Sequence, residues 1–197
     1  ATTIANYGTL LFQASSAKTV SANITDNGTT TIQVINSADT TISTITFSGT
    51  VATDTLTIGS STKSGAALFS GASGVTVNTA ATITGGNTAT SENSTATFNY
   101  ALSGSGTVTL DDNTATATIV FATDNAVTIA NAIKGAAASE GTISITGGSK
   151  TFTGVIDTSG VQVTSVVWTA GTNQTHAAGV TVVDYATATH ISMVSKG

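Results

Sequence analysis

Threonine makes up roughly a fifth of this chain, and proline, cysteine and arginine are missing altogether. Thr, Val and Ile branch at Cβ, which stiffens the side chain and suits it to a pleated, half-buried strand surface. Good helix formers such as Leu, Glu, Lys and Arg are scarce, so local preference sums against helix over any long window. The bias predicts an all-β fold.

Only 8% of the 197 residues are charged, yet 40% are apolar and the mean hydropathy is +0.28. Thr, Ser, Asn and Gly must therefore cover much of the surface. Disorder would need low hydrophobicity as well as little aromatic content, and here apolar residues alternate with hydroxyls, which favours an ordered sheet. A net charge of −5 lacks the basic footprint of a nucleic-acid binder and of a polybasic membrane anchor. Without cysteine there are no disulfides or thiolate metal sites, so stability must come from packing and backbone hydrogen bonds. No apolar run approaches the ~18 residues of a membrane-spanning helix. Nor does a charged stretch precede a hydrophobic core as in a signal peptide. The only Met is Met193, so removal of a residue or segment ahead of Ala1 is expected.

Short alternating runs recur, bounded by Gly, Asn, Asp or Ser, which is the signature of strands. They include Thr31 to Ile35, Thr41 to Phe47, Thr55 to Ile58, Val75 to Val77, Thr107 to Leu110, Thr116 to Phe121, Thr142 to Ile145 and Val161 to Trp168. Asp26-Asn27-Gly28, Gly85-Gly86-Asn87 and Gly147-Gly148-Ser149 supply residues that tolerate positive φ, as tight β connections demand. From Asp124 to Ala138, Val127, Ala130, Ile133 and Ala137 follow a helical spacing, but Val127-Thr128-Ile129 favours a strand and Gly135 interrupts the pattern. Strand and loop is the reading, with one short helix as the alternative.

The six Phe residues, at 12, 47, 69, 98, 121 and 152, are separated by 35, 22, 29, 23 and 31 positions, about 28 on average. Internal periods of roughly 20–50 residues mark repeat architectures. A solenoid with one stacked Phe per coil would give this spacing, and a β-sandwich or jelly roll is the alternative. The Thr-rich repeats are expected over residues 1–158. Residues 159–197 read as a C-terminal β-hairpin module, in which Val161, Val163, Trp168, Val180, Val182 and Tyr185 alternate about a turn spanning Gly171–Gly179. Trp168 would dominate burial there.

Residues that suggest chemistry lack its spacing. Gly147-Gly148-Ser149-Lys150-Thr151 faintly suggests a phosphate loop, but Ser149 separates Gly from Lys, so Lys150 reads as a solvated turn charge. Asp111-Asp112-Asn113 offers oxygen ligands but no surrounding array, and reads as a hairpin turn. His176 and His190 have no metal-site spacing, and His176 reads as part of a polar turn. The two Glu, Glu92 and Glu140, lie too far apart in sequence to suggest a carboxylate pair, and no Ser sits in a Gly-x-Ser-x-Gly elbow. Thr-x-Thr recurs at Thr44/Thr46, Thr55/Thr57, Thr82/Thr84, Thr107/Thr109 and Thr151/Thr153 at uneven intervals. Even ranks of such pairs can order water and bind ice; uneven ones read as a generic polar strand face. No catalytic, cofactor-binding or metal-ligating residue is expected.

Two resemblances bear on function. Thr44 to Val51, Thr118 to Phe121, Glu140 to Gly148 and Lys150 to Ile156 resemble repeats of bacterial surface β-solenoids of the autotransporter-passenger kind. The last 40 residues or so, from Val163 through Tyr185 and on to Gly197, are similar to structural proteins of tailed-bacteriophage virions, such as tail fibres and related appendages. The second resemblance implies a structural role in a virion and carries no catalytic residues with it. The expectation is a non-enzymatic subunit of a virion appendage or decoration, assembling with copies of itself as a trimer, lattice or filament and with neighbouring virion proteins. A secreted bacterial surface protein, such as an adhesin, surface-layer or filament subunit, is the alternative, and an ice- or carbohydrate-binding module trails both. Neither nucleic acid nor membrane insertion is expected.

Overall fold

The computed structural model describes residues 2–37, 42–87, 92–122, 125–146, 150–156, 163–168 and 174–176. The chain winds as a succession of short strands, each after the first coil hydrogen-bonded in parallel to the strand one coil earlier, and forms a β-solenoid of about six turns. The first coil holds β1 (Thr3–Asn6), β2 (Thr9–Ala14) and β3 (Lys18–Val20). The second holds β4 (Asn23–Asp26), β5 (Thr31–Asn36) and β6 (Thr44–Phe47). The third and fourth have two strands each, β7 (Val51–Gly59) with β8 (Ala66–Phe69), then β9 (Val75–Thr84) with β10 (Ser94–Phe98). The fifth returns to three with β11 (Leu102–Ser103), β12 (Thr107–Asp111) and β13 (Ala117–Phe121), as does the sixth with β14 (Val127–Ile129), β15 (Ile133–Gly135) and β16 (Thr142–Ile145). β17 (Lys150–Phe152), β18 (Ser165–Trp168) and β19 (Gln174–His176) carry the winding onward.

Three faces result. β1, β4, β11, β14, β17 and β19 make the first, β2, β5, β12 and β15 the second, and β3, β6, β8, β10, β13, β16 and β18 the third. The long strands β7 and β9 run through the corner between the first two faces, which joins them into one 12-stranded sheet; the third face is a separate sheet of seven strands. At that bend the pairing slips register: Thr53 faces Val77 and Thr55 faces Ala80, so β9 carries one residue more than β7. The extra residue bends β9, and the pairing resumes beyond it. Almost every strand lies between two others, so a proline within one of these inner strands would remove a ladder hydrogen bond.

Period-2 alternation sends one side of every strand into the bore. On the second face Ile32, Leu56, Ala81, Val108 and Ile133 form one inward column in register, and all are buried. On the third face Phe47, Phe69, Phe98 and Phe121 occupy one register position in four successive coils. Their rings meet at centroid distances of 5.1, 4.9 and 6.0 Å. Phe12, from the second face, closes one end edge-on at 5.0 Å, and Phe152, from the first face, closes the other at 5.7 Å. All six Phe form one continuous stack. The uneven sequence gaps follow from two causes: the end rings come from other faces, and the connection of residues 85–93 lengthens the fourth coil.

Polar side chains inside the corners tie coil to coil. Thr30 donates through its main-chain N–H to Asp54 at 3.1 Å, and its hydroxyl lies within 3.0 Å of Asp26 and 3.2 Å of Thr53. At the next corner Asn36 donates to Ser64 at 2.8 Å and accepts from the N–H of Ser43 at 3.0 Å. Each bond satisfies a group that burial would otherwise leave unpaired.

Several expectations change. Every pairing between named strands is parallel, so the sandwich and jelly-roll alternatives fall away, and no described residue is helical. Described residues of the 124–138 stretch contain β14 and β15, because Val127, Ile129 and Ile133 find columns to join. Gly85 and Gly86 do not take positive φ. They are glycines because the main chain at Ala115 and the side chain of Glu92 press against the space a Cβ would fill. Gly141 does need its conformation, with φ of 82° and the Leu110 side chain against it. Of the expected C-terminal module, residues 159–162, 169–173 and 177–197 lie outside the described residues, and with them most of the expected turn and the whole second arm of the hairpin. Its described strands β18 and β19 add in parallel to β16 and β17.

Phe98 is buried with a ring on either side, whereas Phe12 is half-buried at the end of the stack. Phe98→Ala should cost about 3–5 kcal/mol, the usual range for a buried Phe truncation. Phe12→Ala should cost distinctly less. Urea denaturation of both variants reads the difference, and equal losses would contradict the buried stack.

Candidate functional site

From the second coil to the sixth, the connections from the second face to the third span residues 37–43, 60–65, 85–93, 112–116 and 136–141. All but 112–116 are longer than any other corner of these coils, each of which turns within five residues, while the first coil makes the same corner in residues 15–17. The described residues of the long connections meet along one edge. Asn87 donates its N–H to the Ser61 carbonyl at 2.9 Å, and the Thr114 hydroxyl donates to the Asn87 carbonyl at 3.0 Å. Asn113 donates to the Gly85 carbonyl at 2.8 Å, and the Thr164 hydroxyl to the Ser139 carbonyl at 2.6 Å. In repeat proteins such insertions collect on one face, often the one that binds. The loop-bearing edge is therefore the candidate functional surface.

Asp111, Asp112 and Asn113 lie on this edge, at a corner between two sheets and not in a hairpin, because β12 and β13 each pair with neighbouring coils. Asp112 accepts from the N–H of Ala117 at 2.6 Å and Asn113 is engaged with Gly85, so both side chains serve the corner. Burial, with the charge of Asp112 second, pushes the Asp111 carboxyl above its ordinary value, and a hydrogen bond from Thr84 pulls the other way. Among the described residues no group of three or more His, Asp or Glu side chains converges as metal ligands would.

Other singled-out residues fall elsewhere. Lys150 is fully buried, not a solvated turn charge, since it opens β17 on the inward side of an alternation that continues with Thr151 outward and Phe152 inward. Residues 147–149, which precede it in the faint phosphate-loop pattern, lie outside the described residues. Residue 176 is in strand β19 opposite Phe152, not in a polar turn, and His190 lies outside the described residues. Glu92 is buried beside Gly86, while Glu140 caps its own loop by accepting from the N–H of Ala137 at 2.9 Å. The two are in different coils. Trp168 ends β18 in register with Ile145, the position that the Phe column holds in earlier coils.

The Thr-x-Thr motifs divide among the faces. Thr44/Thr46 lie on the third and Thr151 on the first, but Thr55/Thr57, Thr82 and Thr107/Thr109 share the second. There the outward side chains form two ranks in register. One runs Thr31, Thr55, Ala80, Thr107, and the other Gln33, Thr57, Thr82, Thr109. Uneven intervals in the sequence come out as even ranks in space because the differences are absorbed at the corners. From Thr31/Gln33 to Thr107/Thr109 the two ranks carry no charge, with neighbouring coils roughly 4.8 Å apart; the next residue in register with Thr109 is Lys134, and Asp111 follows Thr109 on the same side of β12. What sequence reasoning missed is the stacking of the long connections, and only their clustered Ser, Asn, Asp and Gly residues hinted at it.

The chain matches no protein-family model, no curated protein and no solved structure.

Because the folded state holds the Asp111 proton more tightly than the unfolded chain, this group favours folding most below the ordinary aspartate range. That contribution is lost as pH rises through the elevated value. Asp111→Asn should therefore raise the Tm at neutral pH and leave it nearly unchanged well below the ordinary aspartate range. Thermal melts across pH check this, and a lowered Tm at neutral pH would contradict it.

Proposed function

We propose that this protein is a non-enzymatic structural subunit of an external assembly, a virion appendage or decoration in the first instance. It acts as a stiff rod that packs against copies of itself and displays its loop-bearing edge. The observation that carries this reading is the segregation of surfaces along one solenoid. Described residues of the long connections stack on a single edge, while the outward positions of the second face form loop-free ranks of Thr, Gln and Ala from Thr31/Gln33 to Thr107/Thr109, with Asp111 and Lys134 the charges beyond them. A rod whose coils contact only their neighbours can be lengthened or shortened without changing its cross-section. That suits a spacer or fibre. A face with few charges presents little electrostatic penalty to a second copy, and a low-charge sheet surface invites lateral association.

The similarity of the C-terminal residues to tailed-phage structural proteins favours the virion as the setting. The parallel coil of Thr-rich repeats supports the second reading, a secreted bacterial surface protein, in which the same rod would project from a cell.

Multi-angle light scattering at micromolar concentration should find assemblies of more than one chain, and a monodisperse monomer would count against self-packing. Immunogold labelling with an antibody to the protein separates the settings. Label on the appendages of phage particles supports the first, and label confined to a bacterial envelope replaces it with the second.

A further inference from the structure

We propose that Asn27-Gly28 is a self-modifying site, at which the folded corner promotes loss of the Asn27 side-chain amide through a succinimide to give aspartate and isoaspartate. It is the only Asn followed by Gly in the sequence. Every other asparagine precedes a residue whose Cβ crowds the approach of the next main-chain nitrogen to the amide carbon.

The corner between β4 and β5 supplies what the reaction needs. Asn27 and Gly28 are exposed, so solvent reaches both. Gly28 has φ of 141° and nothing within 4 Å of where a Cβ would stand, which leaves open space on its side of the new ring. Its N–H donates to Asp26 Oδ1 at 3.3 Å, so an acceptor for the proton already faces the nucleophilic nitrogen. Asp26 is held in place from two directions: the Thr30 hydroxyl bonds the same oxygen at 3.0 Å, and Asn78, two coils further on, donates to Oδ2 at 3.1 Å. The Asn27 amide is itself restrained, donating to the hydroxyl and carbonyl of Thr25 at 2.9 and 3.3 Å.

The step balances with water as the only co-reactant. The Gly28 main-chain nitrogen attacks Cγ of Asn27, the N–Cγ bond forms and the Cγ–Nδ2 bond breaks. The Gly28 amide proton passes by way of Asp26 to the departing nitrogen, which leaves as ammonia. Water then opens the five-membered ring at either carbonyl, giving aspartate by one route and isoaspartate by the other. Asp26 is the residue that touches the reacting N–H, and no oxidant or metal is involved.

The consequence falls on the first coil. The N–H of Asn27 donates to the Asn6 carbonyl at 3.0 Å, and that of Thr31 to the Gly8 carbonyl at 2.8 Å, which fastens β1 and β2 to the second coil. Isoaspartate lengthens the main chain by a methylene between these bonds, and either product sets a new carboxylate near Asp26 and Asp54, where like charges repel. Modification should therefore loosen the first coil while leaving the inner coils closed.

The test is incubation of the folded protein in warm, mildly alkaline buffer, followed by peptide mapping with mass spectrometry and enzymatic methylation of isoaspartate. The expected result is amide loss at Asn27 before any other asparagine, with isoaspartate at that position. Loss should be faster in the folded protein than in the same chain held in urea, and Ile4 to Asn6 should lose hydrogen-exchange protection as it proceeds. Asn27→Gln should abolish the isoaspartate signal, and Asp26→Ser, checked for fold by circular dichroism, should slow it. Amide loss elsewhere first, or faster loss in urea than in the folded state, would overturn the proposal.

Discussion

Coil-on-coil stacking of the six phenylalanines is the contact on which the rest of the molecule depends. Five ring pairs, with centroids 4.9 to 6.0 Å apart, run unbroken from Phe12 to Phe152. Such pairs contribute about 0.5–1.5 kcal/mol beyond the area they bury. Their larger role is to fix register. A slip of one residue in β6, β8, β10 or β13 would turn its Phe to solvent and an outward neighbour to the core. With the column in place, the inward positions of the other two faces are set, and so are the outward ranks and the edge on which the loops collect.

Much of this is legible in the residues because a β-solenoid repeats one simple rule. The alternation at Thr44-Ile45-Thr46-Phe47 and at Thr142-Ile143-Ser144-Ile145 announces strands with one buried side, and both are strands with that burial. The Phe spacing points to stacked coils. Its irregularity weakens the signal, since connection length and the choice of face both alter the interval while the register stays fixed. Thr55/Thr57 and Thr107/Thr109 align for the same reason. Sequence intervals count loop residues, whereas a ladder counts only hydrogen-bonded ones.

What stays hidden in the sequence is whether a turn reverses the chain or bends it onward. Asp111-Asp112-Asn113 has the composition of a hairpin and forms a corner, because turn residues report a change of direction without its angle. Lys150 misleads in a related way. A lone Lys beside glycines reads as solvated, and only its place two residues before Phe152, on the same side of one strand, turns it inward. The loop-bearing edge is hidden because it depends on which corner each connection occupies. That is a property of the winding and not of any segment.

A double-mutant cycle between Phe69 and Phe98 tests the central claim most directly. These residues are 29 positions apart in sequence, yet their rings lie 4.9 Å from each other at 13° between planes. Phe→Leu changes at each position and at both, measured by urea denaturation, should give a coupling of about 0.5–1.5 kcal/mol. The same cycle between Phe12 and Phe121, which do not touch in the stack, should be additive to within about 0.5 kcal/mol. Additive losses at Phe69 and Phe98 would contradict the stacked column and with it the account of the fold.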